Sequence, residues 1–164
     1  MIDIKLLEQL CLCNGISGDE GNVRNLIINE IKDCADDIKT DNLGNLIVFK
    51  KGKKSAKSKL MVSAHMDEVG LMVTDITSDG YLKFDEVGGI DRRVLPGKRV
   101  CVGRNGLKGV IGVKPIHLTN GDEKTAVPKM NDMYIDIGAE SREDALKYVN
   151  HGDSINFEGD FKIN

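Results

Sequence analysis

Leu60-Met61-Val62-Ser63-Ala64-His65-Met66-Asp67-Glu68-Val69-Gly70-Leu71-Met72-Val73 is the stretch that decides the fold. Its first five residues read as a buried strand that ends at His65. At Asp67 the texture of the chain changes. Upstream, helical and extended signals alternate. Downstream, as far as about Gly112, there are only strand and turn signals. No Pro/Ser-rich linker lies at the junction, so one strand is expected to run straight from a first unit into a second. An inserted domain begins in this way and returns the chain to its parent at its end.

Upstream of the junction, Leu6, Leu7, Leu10 and Cys11 recur at helical spacing over residues 4–13, and Asn14-Gly15 stops that helix. Ser17-Gly18-Asp19-Glu20 has the form of a capping box, in which the Ser17 hydroxyl accepts from a backbone N–H and Glu20 reaches back. A second amphipathic helix follows, with Val23, Leu26, Ile27, Ile31 and Cys34 on its buried side. A short extended piece over residues 38–41, a turn at Asn42-Leu43-Gly44 and a strand over 45–50 come next. The lysine-rich run from Lys50 to Lys59 is broken by Gly52, Ser55, Ala56 and Ser58 and reads as a solvated loop.

Downstream, strands over 69–76 and 81–87 flank Ser78-Asp79-Gly80, and strands over 98–103 and 107–113 flank Asn105-Gly106, both hairpin signals. A polar loop from His117 to Met130 precedes a strand over 133–137. Ser141-x-x-Asp144 starts a helix that runs to Val149, and residues 154–157 form a last strand.

Composition narrows the function classes. With 40% apolar residues in 164, a folded core is expected. The net charge of -3 has both signs interspersed, unlike the basic footprint of a nucleic-acid binder. No apolar stretch reaches membrane-spanning length and no signal peptide opens the chain, so a cytoplasmic protein is expected. Cys11, Cys13, Cys34 and Cys101 lack metal-ligand spacing and are expected to be buried, reduced thiols.

His65 and Asp67 are the candidate site residues. Residues two apart in extended chain point to the same face, so the pair should project together from a strand's C-terminal edge, where open α/β sheets build their sites. Imidazole suits zinc and cobalt, and a carboxylate beside a metal-bound His fixes its ring. An HxD pair also recurs by chance, so spacing alone does not make it a site. Glu68 should point to the opposite face. His117 lies beside a polar loop. His151 should interact with the carbonyls ending the helix before it. Asp91-Arg92-Arg93 could face substrate or form ion pairs, and Gly88-Gly89 reads as a turn.

Residues 63–73, quoted above, resemble the signature of the co-catalytic metallo-aminopeptidases, the family of glutamyl, deblocking and tetrahedral aminopeptidases, some of which carry the older label cellulase M or endoglucanase. Asn14-Gly15-Ile16-Ser17-Gly18-Asp19-Glu20 is similar to that family's opening loop. Thr40-Asp41-Asn42-Leu43-Gly44-Asn45, Val87-Gly88-Gly89-Ile90-Asp91, Gly109-Val110-Ile111-Gly112, Lys114-Pro115-Ile116-His117-Leu118, Tyr134-Ile135-Asp136-Ile137-Gly138-Ala139 and Gly152-Asp153 follow in the family's order. The resemblance implies an α/β fold: a partial zinc-exopeptidase α/β domain over 1–67, a β-rich inserted assembly domain over 68–160, and the start of the return over 161–164. It implies His65 as a metal ligand and Asp67 as the catalytic-site carboxylate that orients it. Two divalent ions, zinc or cobalt, peptide substrates and a homo-oligomer are implied as well. The family's remaining ligands, a bridging Asp, a Glu-Glu pair, another Asp and a distal His, would follow the inserted domain.

The function expected from this resemblance is metal-dependent removal of N-terminal residues from peptides. The 164 residues alone are expected to be inactive and to hold no tightly bound metal. The alternative is a non-enzymatic self-assembly module. Glycoside hydrolysis needs two carboxylates facing one bond, and adjacent Asp67 and Glu68 diverge on a strand.

Overall fold

A computed structural model describes residues 3–54, 57–114 and 127–163. The chain divides into two compact units, Met1–Asp67 and Glu68–Asn164.

In the first unit, helix α1 spans Ile4–Leu12 and α2 spans Gly21–Ile31. Asp3 starts α1 by accepting from the Lys5 and Leu6 amides at 3.0 and 3.1 Å. Gly15 admits the close approach of α2, since a Cβ there would sit 2.5 Å from Val23 Cγ2. Strands β1 (Asp37–Thr40) and β2 (Leu46–Phe49) pair antiparallel, from Asp37↔Phe49 to Thr40↔Leu46. Asp41 builds their turn by accepting from the Leu43 and Asn45 amides at 3.0 and 2.9 Å. Gly44 supplies the positive φ of 87° that the turn requires.

Three expectations for this unit are corrected. Leu60–Ala64 forms no strand, and Leu60, Met61 and Val62 are 92%, 86% and 87% exposed. An apolar run becomes a strand by pairing with a neighbour, and no described residue pairs with this one. The continuous strand across the junction is therefore also not observed. The Ser17–Glu20 capping box does not form. Glu20 itself is the N-cap of α2, without a side-chain cap bond. Finally, Cys11 and Cys34 are exposed and Cys13 is half-buried, leaving Cys101 as the buried thiol. α2 buries Val23 alone, so Cys34 has no apolar face to join.

The second unit is a closed antiparallel barrel in the order β3-β4-β7-β6-β5-β8. Its strands are β3 (Gly70–Ile76), β4 (Leu82–Val87), β5 (Arg99–Val102), β6 (Leu107–Val113), β7 (Met133–Asp136) and β8 (Ser154–Phe157). Period-2 alternation drives closure, because apolar residues on one face of each strand need a shared interior. Leu71, Val73, Leu82, Phe84, Val100, Val102, Ile111, Ile135 and Ile155 fill it. The ring closes where β3 meets β8 at Leu71↔Ile155 and Met72↔Ser154, which leaves no open edge.

Helix α3 covers Arg142–Ala145, capped by Ser141, whose Oγ accepts from the Asp144 amide at 3.2 Å. It stops short of Val149 because the chain must turn back into β8. The Gly152 amide donates to Val73 O at 2.8 Å, which ties that turn to β3. His151 does not meet the helix end. Its Nε2 lies 3.3 Å from Asp75 Oδ1, which Arg142 Nη2 also approaches at 3.2 Å. Burying Val149 draws the turn toward β3 and carries His151 with it. His117 lies outside the described residues.

Candidate functional site

His65 and Asp67 sit in the segment that ends the first unit. His65 Nδ1 lies 3.0 Å from the Asp67 carbonyl oxygen and 3.3 Å from its carboxylate Oδ1. Both are acceptors only, so the geometry requires Nδ1 to carry a proton. In the neutral imidazole the Nε2 lone pair is then free. The His65 side chain is 87% exposed, so that lone pair meets solvent.

Ser17 joins the pair from the loop before α2. Its Oγ donates to Asp67 Oδ2, leaving Oδ1 toward His65. Gly18, at φ +91°, lets the loop bend, and its amide donates to Glu20 Oε1 at 2.6 Å. The Ser17 hydroxyl lowers the Asp67 pKa most, and His65 adds to the effect. Glu68 behaves oppositely, because partial desolvation raises its carboxyl pKa.

Ser17 is the residue that sequence reasoning missed. Its position in the Asn14–Glu20 motif was visible, but a Ser three residues before a Glu pointed to a local cap. Replacing Ser17 with Ala is expected to raise the Asp67 pKa toward the ordinary carboxylate value, as read by NMR titration of the side-chain carboxyl. Asp67 has a depressed folded pKa. Its contribution to stability is therefore present above the unfolded pKa and lost as pH falls through the folded one. The variant should lose part of that contribution near neutral pH, and an unchanged Asp67 titration would show that the hydroxyl does not act on it.

A cleft of about 630 Å³ in the first unit is lined by Glu20, Asp41, Asn45, Ser63, His65 and Asp67, among others. Among the described residues, no three His, Cys, Asp or Glu side chains group as a metal site. The Asp91-Arg92-Arg93 segment resolves into ion pairs. Arg93 Nη2 meets Asp91 at 2.5 Å and Arg92 Nη2 meets Glu86 at 2.9 Å. Arg93 holds the Asp91 carboxyl down at about 2.

The M42 glutamyl aminopeptidase family matches residues 44–164. The chain belongs to that family. The lysyl aminopeptidase of Pyrococcus furiosus is 36% identical over 149 residues, which cover 88% of this chain and 42% of that protein. The TET aminopeptidase of the marine sediment archaeon Thaumarchaeota archaeon SCGC AB-539-E09 superposes with a TM-score of 0.91 at 34% identity, over 98% of this chain and 45% of its own. The TET1 peptidase of Pyrococcus horikoshii, which can assemble into a tetrahedron or a large octahedral shell, gives a TM-score of 0.84 at 45% identity, over 97% and 47%. The chain thus spans less than half the length of these relatives.

Proposed function

We propose that this chain contributes to a metal-dependent aminopeptidase, with His65 as a ligand of one divalent ion and Asp67 as the residue that positions it. The supporting observation is the protonation pattern that the geometry imposes. With Nδ1 donating to Asp67, the exposed Nε2 is the free donor atom of a borderline ligand suited to zinc or cobalt. Ser17 holds the carboxylate on its other oxygen, so ring and carboxylate are fixed before any ion arrives. When bound, such an ion supplies Lewis-acid polarisation and an activated water. The residues present fit one corner of a metal site. They bind through Nε2, orient through Asp67 and brace through Ser17.

The proposal also places the first unit in the metal-carrying domain. The test is zinc titration followed by calorimetry. Wild type should bind weakly, His65→Ala should abolish the binding, and Asp67→Ala should weaken it by roughly 10- to 100-fold. Zinc binding that survives His65→Ala unchanged would sink the assignment.

A further inference from the structure

Strands β8, β5 and β6 place Asn156, Cys101 and Lys108 in one cross-strand row. Cys101 faces Asn156 on one side and Lys108 on the other. Directly opposite residues in antiparallel strands project from the same face. Val100 and Val102 point into the barrel core, so the row stands on the outer face. Cys101 is nonetheless only 8% exposed and Asn156 only 4%. The Lys108 side chain lies over the thiol, with Nζ 3.2 Å from Cys101 Sγ and 2.9 Å from Glu158 Oε1. Arg99, two residues before Cys101, holds the other oxygen of Glu158 at 3.0 Å. Asn156 Oδ1 is buried without a hydrogen-bond partner.

We propose that Cys101 and Lys108 are an oxidative modification site, at which hydrogen peroxide drives a covalent Sγ–Nζ bond that staples β5 to β6. Lys108 Nζ gives the sulfur the electropositive surroundings in which reactive cysteines are found. In the first step peroxide oxidises the thiol to a sulfenic acid. The O–O bond breaks, Sγ–O forms and one water is released. In the second step the Lys108 nitrogen attacks Sγ, the S–O bond breaks, and the hydroxyl leaves as a second water. The ion pair raises the Lys108 pKa and lowers that of Glu158, so the ammonium sheds its proton to solvent before it attacks, and the departing hydroxyl takes the second proton from nitrogen. Thiol, amine and peroxide give the sulfenamide and two waters, with no other reactant.

Three observations favour this course. The reacting atoms already stand at near-attack distance. Burial keeps bulky thiols from intercepting the sulfenic acid. The vacant Asn156 Oδ1, in the same row, can accept the sulfenic O–H while the amine is positioned.

The test treats the full chain with hydrogen peroxide, unfolds it, alkylates remaining thiols and maps peptides by mass spectrometry. Wild type should yield a peptide pair joined through Cys101 and Lys108, lighter by two hydrogens, and a thiol reductant should separate it. Lys108→Arg keeps the charge and cover but should lose the link completely. In that variant Cys101 should be labelled by dimedone, a trap for stranded sulfenic acid, once the treated protein is unfolded to expose it. A merely structural Lys108 would leave dimedone labelling unchanged. The proposal is overturned if Cys101 stays alkylatable in treated wild type, if it proceeds to sulfinic acid with Lys108 unmodified, or if the linked pair carries an extra oxygen.

Discussion

No aminopeptidase turnover above the buffer rate is expected from the 164-residue polypeptide by itself, even with added zinc or cobalt. A catalytic zinc takes about three protein ligands and keeps one position for water. Among the described residues His65 offers one, and no three candidate ligands cluster among them. The Asp67 carboxylate is engaged by Ser17 on one oxygen and by His65 on the other, which suits it to positioning. Two divalent ions would also repel each other strongly without anionic ligands between them. A general base within reach of a metal-bound water is needed as well, and Asp67, with its lowered pKa, is a weak base at neutral pH. The check is a fluorogenic aminoacyl assay on protein of verified mass, alongside metal analysis after dialysis. Robust turnover would mean that a complete metal site exists among residues described above as structural.

Ile135→Ala is expected to cost the barrel roughly 2–5 kcal/mol, the range for truncating a buried Leu or Ile. Ile135 sits in the middle of an inward row, opposite Leu82 on β4 and Ile111 on β6. All three are at most 1% exposed. The surroundings cannot collapse easily into the space. Gly109 already brings its backbone so close that a Cβ there would lie 2.7 Å from Ile135 Cγ2. The strands on both sides are also pinned by ladder hydrogen bonds. Val110→Ala, on the 46%-exposed outer face of β6 in the same barrel, is the matched control and should cost no more than about 0.5 kcal/mol. Urea denaturation followed by tyrosine fluorescence reads the barrel, because the Tyr81 and Tyr134 rings meet there at a tilt, with centroids 4.7 Å apart. Equal midpoints for Ile135→Ala and wild type would contradict the placement of this row at the core.

Much of the second unit was legible because its signals are local. Alternation and turn residues placed β3, β4 and β6 to within a residue or so, and β8 spans Ser154–Phe157 as expected. Closure was not legible. It depends on β3 meeting β8, strands from opposite ends of the unit, and no periodicity encodes that partnership. The same logic explains Leu60–Ala64. Its composition suits a buried strand, but strand formation needs a partner, which a run's own sequence does not contain. At the site, the i, i+2 spacing was enough to suggest that His65 and Asp67 meet. The Ser17 contact spans fifty positions of chain and competes with a plausible local cap, so it became visible only in three dimensions.

The most direct test of the account is the tautomer of His65 in the metal-free protein, read from its ring nitrogen-15 shifts above its titration range. Asp67 presents only acceptors to Nδ1, so the account predicts a protonated Nδ1 and an unprotonated Nε2 open to a metal ion. A ring protonated at Nε2, with Nδ1 bare against two oxygens, would contradict it.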